Sequence, residues 1–590
     1  MLASILLMNA CSTVGERKQE LKTPTTQAQQ LTTPPEYSLN LPPSEFDSEF
    51  NRAEQSLFEF NWMAAEAILA TIPAEEITPT DQEYIDYIQA RILYVRGRQA
   101  EAQNILQALT ETTNQPAMRY KVLSFQRYMY SLAGRHLDSA RVGDQLLQIT
   151  PQGPRAKSLK RYIWRDLQQF HGSPPQRITN ENITPHWQGW LELSELATHQ
   201  SSSVDQQQAL ALWRDNNPDH PGAEELPGGM GFLLSAGSTP KKVALLLPLS
   251  GPLSPAAQAV REGYLANYYA ARARDGFGAN IEVINILDFD SVTQAYNSAV
   301  GNGVELIIGP LSKHAVEELG NLPSRAVPVL ALNRIERSLP TGEAAFVQLA
   351  LAPEDEAEQI AKLAFGRGAR RALVIHPAGM WGSKMNAALG KQWQKLGGVV
   401  SSTATYSNRE SYSSSISSAL NLSASEQRAN NIGNILETKL ESTARRRQDV
   451  DVVFLLSKNA VEARSLKPLL AYHYAADLPV YATSNIYRGT PDPRDKDLNG
   501  IRLVETPWLL NKNLPLRATI AADGSENPAY ARLNALGADA FLLQTRFAQL
   551  RAGEDMLIRG NTGILSLTPA LHIKRQLQSA TFDGSNVTAQ

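Results

Sequence analysis

Short, uniformly apolar segments alternate with helical segments in the second half of the chain, and this alternation constrains the fold most strongly. Examples are VALLLPLS from Val243, VELIIGPL from Val304 and VDVVFLLS from Val450. Strands that are apolar throughout are buried on both faces, which is typical of parallel sheets covered by helices. The sequence therefore predicts an α/β fold from residue 242 onwards.

The strand and helix alternation occurs in two successive series. The first runs from VALLLPLS to VPVLALN, and the second runs from ARRALVIHP to LPVYATS. Two series predict two lobes with a cleft between them, and such sheets bind ligands at the carboxyl ends of their strands. The candidate cleft-lining residues are therefore those at strand ends: Ser250, Gly251, Pro310, Leu311, Asn333, His376, Thr483 and Ser484.

The start of the first series has a recognisable signature. VALLLPLSGPLSPAAQAVREGYLAN, followed by ELIIGPL, closely resembles the type I periplasmic-binding-protein fold. The resemblance implies that the loop after the first strand presents hydroxyl and backbone N–H groups to a ligand.

Residues 46–221 show apolar residues at three- and four-residue spacing, which predicts helices. Three segments align, WMAAEAILATIP, GRQAEAQNILQAL and GRHLDSARVGDQLLQITP, and the later two begin with Gly97 and Gly134 at predicted turns between helices. This period resembles the tetratricopeptide repeat, whose helix pairs stack into a solenoid that usually binds proteins or peptides. The alternative is an irregular helical domain with closely packed alanines. Each segment has an alanine at the same point, 35 and 38 residues apart: Ala67, Ala102 and Ala140.

The only cysteine, Cys11, follows a short apolar run. The apolar run at residues 2–8 is too short for a membrane-spanning helix, which needs about 20 residues. It resembles the apolar part of a secretory signal. Ala10 directly before Cys11 resembles the lipobox of bacterial lipoproteins, in which the cysteine carries lipid, and Ser12 after it implies the outer membrane. The alternative is a fortuitous cysteine in a frayed terminus. No Lys or Arg precedes Cys11, so we expect a truncated signal or a misplaced start.

These patterns divide the chain into five segments. Thr, Gln and Pro dominate after the cysteine, which indicates a solvated tether, and several Gly and Pro residues mark the later boundary. The predicted segments are a signal peptide at 1–10, a lipid-anchored flexible linker at 11–45, a helical domain at 46–221, an interdomain linker at 222–241 and a two-lobed α/β domain at 242–590.

Composition and motifs exclude several functions. The formal net charge of −3 over 590 residues, with no broad basic face, argues against a nucleic-acid partner. We find no phosphate-binding loop, no nucleophile elbow and no H-E-x-x-H, and no cysteine remains for a metal. The sequence therefore predicts no catalytic residue, no metal and no cofactor.

Some charged residues outside these motifs have two interpretations. Asp288 and Asp290 end a strand, where an exposed turn is favoured over a functional carboxylate pair. For His473, the sequence favours a packing role or a surface position. The triplet Arg445, Arg446 and Arg447 is typical of a solvated helix end, with a partner-binding patch as the alternative.

The order of lipobox, tether, solenoid and two-lobed fold resembles the LpoA family, outer-membrane lipoprotein activators of class A penicillin-binding proteins. ALALWRDNNPDHP, the signature from Val243 and GNTGILSLTPALHIKRQLQSATFDG carry the resemblance. It implies a non-catalytic regulator that is anchored through Cys11, contacts a bifunctional peptidoglycan synthase and stimulates cross-linking. The alternatives are a lipoprotein that binds an amino acid or cell-wall fragment in its cleft, and a periplasmic hydrolase.

Overall fold

The computed structural model describes most of the chain. Cys11, the predicted signal and nearly all of the predicted tether lie outside the described residues, as does half of 222–241. The described residues are 41–169, 184–198, 203–227, 230, 239–335, 345–437, 443–511, 513–522, 527–547 and 557–589.

Helices make up the regular structure of the described residues between 41 and 227, which we call the helical region. In chain order they are α1 (Asp47–Phe58), α2 (Trp62–Leu69), α3 (Pro79–Val95), α4 (Gln99–Thr112), α5 (Pro116–Leu132), α6 (His136–Gln148), α7 (Pro154–Gln169), α8 (Pro185–Thr198), α9 (Ser203–Asn216) and α10 (Pro221–Glu224).

The helix-pair pattern is confirmed, with one error of register. Gly97 and Gly134 follow α3 and α5 with φ of 83° and 77°, a left-handed conformation that glycine adopts without steric cost. Ala102 and Ala140 are fully buried, but Ala67 is exposed. Ala65 is the buried residue instead, because it is the fourth residue of its helix, as Ala102 is of α4.

Two sheets with covering helices form the α/β region. The strands are β1 (Lys242–Leu247), β2 (Asn280–Asn285), β3 (Leu306–Ile308), β4 (Val329–Ala331), β5 (Phe346–Leu349), β6 (Arg371–Pro377), β7 (Val399–Tyr406), β8 (Val452–Leu455), β9 (Val480–Ala482), β10 (Arg502–Glu505), β11 (Ile558–Arg559), β12 (Ile564–Leu567), β13 (His572–Gln576), β14 (Gln578–Asp583) and β15 (Asn586–Ala589). The helices are α11 (Ser254–Asp275), α12 (Val292–Gly301), α13 (Lys313–Gly320), α14 (Pro353–Gly366), α15 (Met380–Lys395), α16 (Ser411–Ala419), α17 (Leu422–Ile435), α18 (Ala460–Tyr472), α19 (Pro507–Leu510), α20 (Pro515–Ala522) and α21 (Ala531–Thr545).

Each sheet is the centre of one lobe. The first lobe has the strand order β2-β1-β3-β4-β5-β13-β12-β11, and the second has β7-β6-β8-β9-β10-β14-β15. Strands β1 to β5 pair in parallel, as do β6 to β10, whereas β10–β14, β14–β15, β12–β13 and β11–β12 are antiparallel. This repeated doubly wound order confirms the predicted two-lobed, type I periplasmic-binding-protein-like fold.

The helical region and the second lobe share one hydrophobic core. Buried side chains of α3, such as Ile88 and Tyr94, belong to the same cluster as Phe365 of α14 and Trp393 of α15. The cluster extends to Phe454 on β8, an interior strand of the second sheet. The first helices of the chain therefore cover one face of the second lobe.

A buried arginine joins α3 to the second lobe. Arg370 Nε donates to the Val95 carbonyl at 2.9 Å, and Nη2 donates to the Tyr94 carbonyl, both at the end of α3. Nη1 donates to the carbonyls of Phe365 and Ala369 at 2.9 and 2.8 Å. The last carbonyls of a helix attract cations, so Arg370 stabilises the end of α3 from the second lobe.

Glycines allow the backbones to approach at the same place. A Cβ on Gly366 would lie 2.0 Å from the Leu132 carbonyl oxygen, and one on Gly97 would lie 2.3 Å from the Gly368 carbonyl oxygen. Both distances are too short for real atoms. We call these contacts, together with those of Arg370, the helix–lobe contact.

A second arginine repeats this arrangement at the first lobe. Arg559 on β11 donates from Nε to the Gln168 carbonyl at 3.0 Å and from Nη2 to the Leu167 carbonyl at 2.9 Å. These residues end α7, as Tyr94 and Val95 end α3. Each lobe therefore holds the C-terminal end of one helix of the helical region through a guanidinium.

Two adjacent arginines provide a matched test of the helix–lobe contact. Arg370→Met should lower the free energy of unfolding by about 3 kcal/mol, because it removes a charged donor from several buried carbonyls. Arg371→Met should cost about 1 kcal/mol or less, because Arg371 is half-exposed and pairs with Asp451 at 2.7 Å near the surface. Urea unfolding of the full chain measures both, and equal effects would contradict the assignment.

Candidate binding cleft

The predicted residues after β1 lie in an exposed loop. Ser250 and Gly251 are exposed, and Gly251 has φ of 69°, which favours glycine. Asn285 at the end of β2 organises this loop: Nδ2 donates to Ser250 Oγ at 3.2 Å, and Oδ1 accepts from the Leu249 N–H at 2.9 Å. Sequence reasoning missed Asn285, although its position at a strand end was visible.

The residues after β3 and β4 are brought together. The Pro310 carbonyl accepts from the Leu332 N–H at 3.0 Å, and Asn333 Nδ2 donates to the Leu311 carbonyl at 2.9 Å. Pro310 and Leu311 are buried, and Asn333 is partly buried. The Asn333 side chain therefore ties two neighbouring strand ends of the first lobe to each other.

His376 at the end of β6 is buried and engaged on both ring nitrogens. Nδ1 lies 2.9 Å from the Pro377 carbonyl oxygen, and Nε2 lies 3.3 Å from Thr405 Oγ1 on β7. A carbonyl can only accept, so Nδ1 carries a proton. These two contacts hold the ring in place within the second lobe.

Thr483 and Ser484 after β9 lie in the interior, where they meet α14. The Ser484 N–H donates to Glu356 Oε2 at 2.9 Å, and Ser484 Oγ donates to Glu356 Oε1 at 3.2 Å. Thr483 is fully buried, and its Oγ1 has no hydrogen-bond partner within the described part of the chain. Their role in binding a ligand stays a prediction, but Ser484 already forms intramolecular hydrogen bonds with Glu356.

A buried group of charges surrounds Ser484. Arg532 donates from Nη2 to the Ser484 carbonyl at 2.8 Å and pairs with Glu505 on β10, and Arg575 on β13 lies 4.0 Å from Glu356. Burial raises the pKa of Glu356, and the charge of Arg575 opposes this increase. Sequence reasoning missed these residues because burial, not spacing, distinguishes them from surface charges.

Charged side chains also connect the lobes at the start of α14. Arg334, which follows β4 in the first lobe, lies 3.2 Å from Asp355 and 3.9 Å from Glu354. Lys384 on α15 of the second lobe contacts the same Glu354 at 2.6 Å. These acidic residues lie in the first turn of α14, where the helix dipole favours them.

A close helix crossing fixes the lobes behind these charges. A Cβ on Gly263 of α11 would lie 1.8 Å from the Asn534 carbonyl oxygen, and one on Gly537 of α21 would lie 1.9 Å from the Val260 carbonyl oxygen. Residues of α21 belong to the cores of both lobes. The polar contacts and this crossing together hold the lobes in one arrangement.

The other charged candidates lie apart from the strand-end loops or form local contacts. Asp288 is exposed, and its Oδ1 accepts a hydrogen bond from Asn285 Nδ2 at 2.8 Å. His473 is buried, and its Nε2 lies 3.0 Å from Ser413 Oγ. The interpretation of Arg446 as part of a solvated helix end is wrong. Residues 443–450 form no helix, and Arg446 is buried, with Nη2 2.6 Å from Asp477.

The described residues contain neither a metal-binding cluster nor a membrane-spanning helix. Among them, no group of three or more His, Cys, Asp or Glu side chains could hold a metal ion. No helix in the same residues combines the length and the apolarity needed to cross a bilayer.

Comparisons with known proteins extend over both regions. A family model described as "LppC putative lipoprotein" matches residues 52–584. A Photobacterium profundum protein named penicillin-binding protein activator LpoA is 27% identical over 540 residues, 90% of this chain and 86% of the relative. A Vibrio antiquarius protein of the same name is 31% identical over 435 residues, 71% of this chain and 70% of the relative.

A solved structure is also similar. Full-length LpoA from Haemophilus influenzae matches with a TM-score of 0.48 and 20% identity, covering 95% of this chain and 100% of that chain. The elements and strand orders described above define a helical region and a two-lobed α/β fold of the binding-protein type. Because the family model spans most of its length, the chain belongs to the LppC lipoprotein family.

Substitutions at Thr483 and Ser484 should change the free energy of unfolding in opposite directions. Thr483→Val should raise the free energy of unfolding by about 1 kcal/mol, because it removes a buried hydroxyl without a partner and keeps the shape. Ser484→Ala should lower it by about 1 to 2 kcal/mol, because it takes a donor from the buried Glu356. Urea unfolding measures both, and stabilisation by Ser484→Ala would contradict the geometry.

Proposed function

We propose that the chain is a non-catalytic activator of a class A penicillin-binding protein, a bifunctional peptidoglycan synthase, and promotes peptidoglycan cross-linking. The observation that carries this proposal is the extent of the family likeness. The match at residues 52–584 includes both the helical region and the lobes, and a relative named for this activity aligns over 86% of its length. The proposed activity therefore belongs to the whole chain rather than to one region.

An activator without chemistry of its own acts through binding free energy. It shifts the synthase towards its active arrangement only if it binds that arrangement more tightly than the inactive one. The contacts that hold the lobes together support this role, because a surface that is ordered before binding loses less conformational entropy when the complex forms.

The geometry gives less support to the solute-binding alternative. A ligand at the strand ends of the second lobe would need the donors of Ser484, and both are directed at Glu356. His376 is likewise engaged on both ring nitrogens. The exposed Ser250 and Gly251 are the strand-end groups most accessible to a ligand.

A reconstituted assay tests the proposed activity. Purified full-length chain is added to a class A penicillin-binding protein with lipid-linked precursor, and cross-linked muropeptides are quantified with and without a β-lactam. We expect more cross-links only when the transpeptidase is free of the β-lactam, and a chemically cross-linked complex of the two proteins. Unchanged cross-linking together with no complex would refute the proposal.

We further propose that lipid on Cys11 anchors the chain to the outer membrane, with the folded regions facing the periplasm. Membership in a lipoprotein family supports the anchor. The wild type should sediment with outer-membrane vesicles and release a lipid-modified peptide that begins at Cys11. Cys11→Ser should appear in the soluble periplasmic fraction, and an unmodified Cys11 in the membrane-associated wild type would contradict the proposal.

A further inference from the structure

A cavity of about 110 Å³ lies between the helical region and the α/β region. Residues from α5, α6 and α7 line one side, and residues from α14, β12 and β13 line the other. One water needs about 10 to 15 Å³ of such volume, so the cavity has room for a small molecule. Both regions must be in place for the cavity to exist.

Positive charge dominates the cavity wall. Arg165 of α7, Lys362 of α14, and Lys574 and Arg575 of β13 line it, together with His136 of α6. The two carboxylates of the wall, Asp355 and Glu358, are already engaged: Asp355 lies 3.2 Å from Arg334, and Glu358 lies 3.0 Å from Lys574. Lys362 makes no hydrogen bond or ion pair with any other described residue. Arg165 lies 3.9 Å from Asp166 and Arg575 lies 4.0 Å from Glu356, both beyond hydrogen-bond distance, so the wall keeps donors that a bound anion can engage.

Two of these cations have unsatisfied donors. Arg165 and Arg575 are 9% and 2% exposed, and the Nη2 atom of each has no hydrogen-bond partner among the described residues. His136 Nδ1 is also buried without a hydrogen bond within these residues, 3.5 Å from Asp166. Buried donors that find no acceptor destabilise a fold, so an acceptor in the cavity would be favourable.

The buried, positively charged surroundings also change the pKa of Lys362. Burial, together with the charge of Lys574, lowers its pKa to about 8, although Glu358 opposes this decrease. Lys395 and Arg165 add to the repulsion. A lysine with a lowered pKa gains a proton when an anion arrives beside it.

We propose that this cavity binds a small oxyanion whose carboxylate or phosphoryl oxygens accept hydrogen bonds from Arg165, Lys362 and Arg575. The ligand would join α7 of the helical region to α14 and β13 of the α/β region. Its binding would therefore stabilise the arrangement of the two regions. This inference does not rest on the proposed function.

The first test compares anions by thermal unfolding of the full chain near neutral pH. Inorganic phosphate and succinate are titrated against sodium chloride at equal ionic strength, since a ligand of the native state raises the melting temperature with saturation. A shift with phosphate alone indicates a phosphoryl ligand, and one with succinate alone indicates a carboxylate ligand. No shift with either beyond that of chloride would overturn the proposal.

Matched lysine variants locate the site. Lys362→Met should lose the anion-dependent shift, whereas Lys496→Met should keep it, because Lys496 is exposed and outside the cavity wall. If Lys362→Met does not fold, Lys574→Gln replaces it, since that side chain is one-third exposed. A full shift in the cavity variant would overturn the assignment of the site.

Titration calorimetry of the wild type near pH 8, with the anion that raises the melting temperature, measures proton uptake on binding. Binding should take up protons, because the anion restores the charge of Lys362, and the observed enthalpy should then depend on the ionisation enthalpy of the buffer. Binding without any proton uptake would contradict the role of Lys362.

Discussion

The contact of arginine side chains with helix ends is the interaction on which the arrangement of the molecule depends. Arg370 from the second lobe holds the end of α3, and Arg559 from the first lobe holds the end of α7. Burying a guanidinium is costly unless its donors are satisfied, and carbonyls at helix ends are acceptors that need partners. The guanidinium donors and the helix-end carbonyls therefore satisfy each other. Gly97 and Gly366 allow the backbones to come close enough.

The two lobes are held together by a different means. A solute-binding protein of this fold needs a cleft that its ligand can enter, whereas here paired charges and a close helix crossing lie at the junction of the lobes. Arg334 of the first lobe lies 3.2 Å from Asp355 of α14, and Gly263 and Gly537 permit α11 and α21 to cross in contact. These contacts make the α/β region suited to presenting a fixed surface, which agrees with a role in binding another protein.

The sequence predicted the elements whose pattern is local. Apolar strands such as β1 and β8 were recognised because burial on both faces leaves an uninterrupted apolar run, and Gly97 was placed correctly because a helix end favours glycine. Arg370, Glu356 and Arg532 could not be found, since their burial depends on segments far away in the chain; Arg370 and Tyr94 are 276 residues apart. The alanine of α2 was misplaced by two residues because that helix is short and offers few landmarks.

A distance measurement between the helical region and the second lobe tests the central claim most directly. Cysteines for spin labels are placed at the exposed Asn104 of α4 and Lys391 of α15, in a chain whose only native cysteine, Cys11, is changed to serine. Double electron–electron resonance should give one narrow distance distribution, because a shared core and Arg370 hold these helices in one position. A broad or multimodal distribution would show that the two regions move independently and would contradict the account.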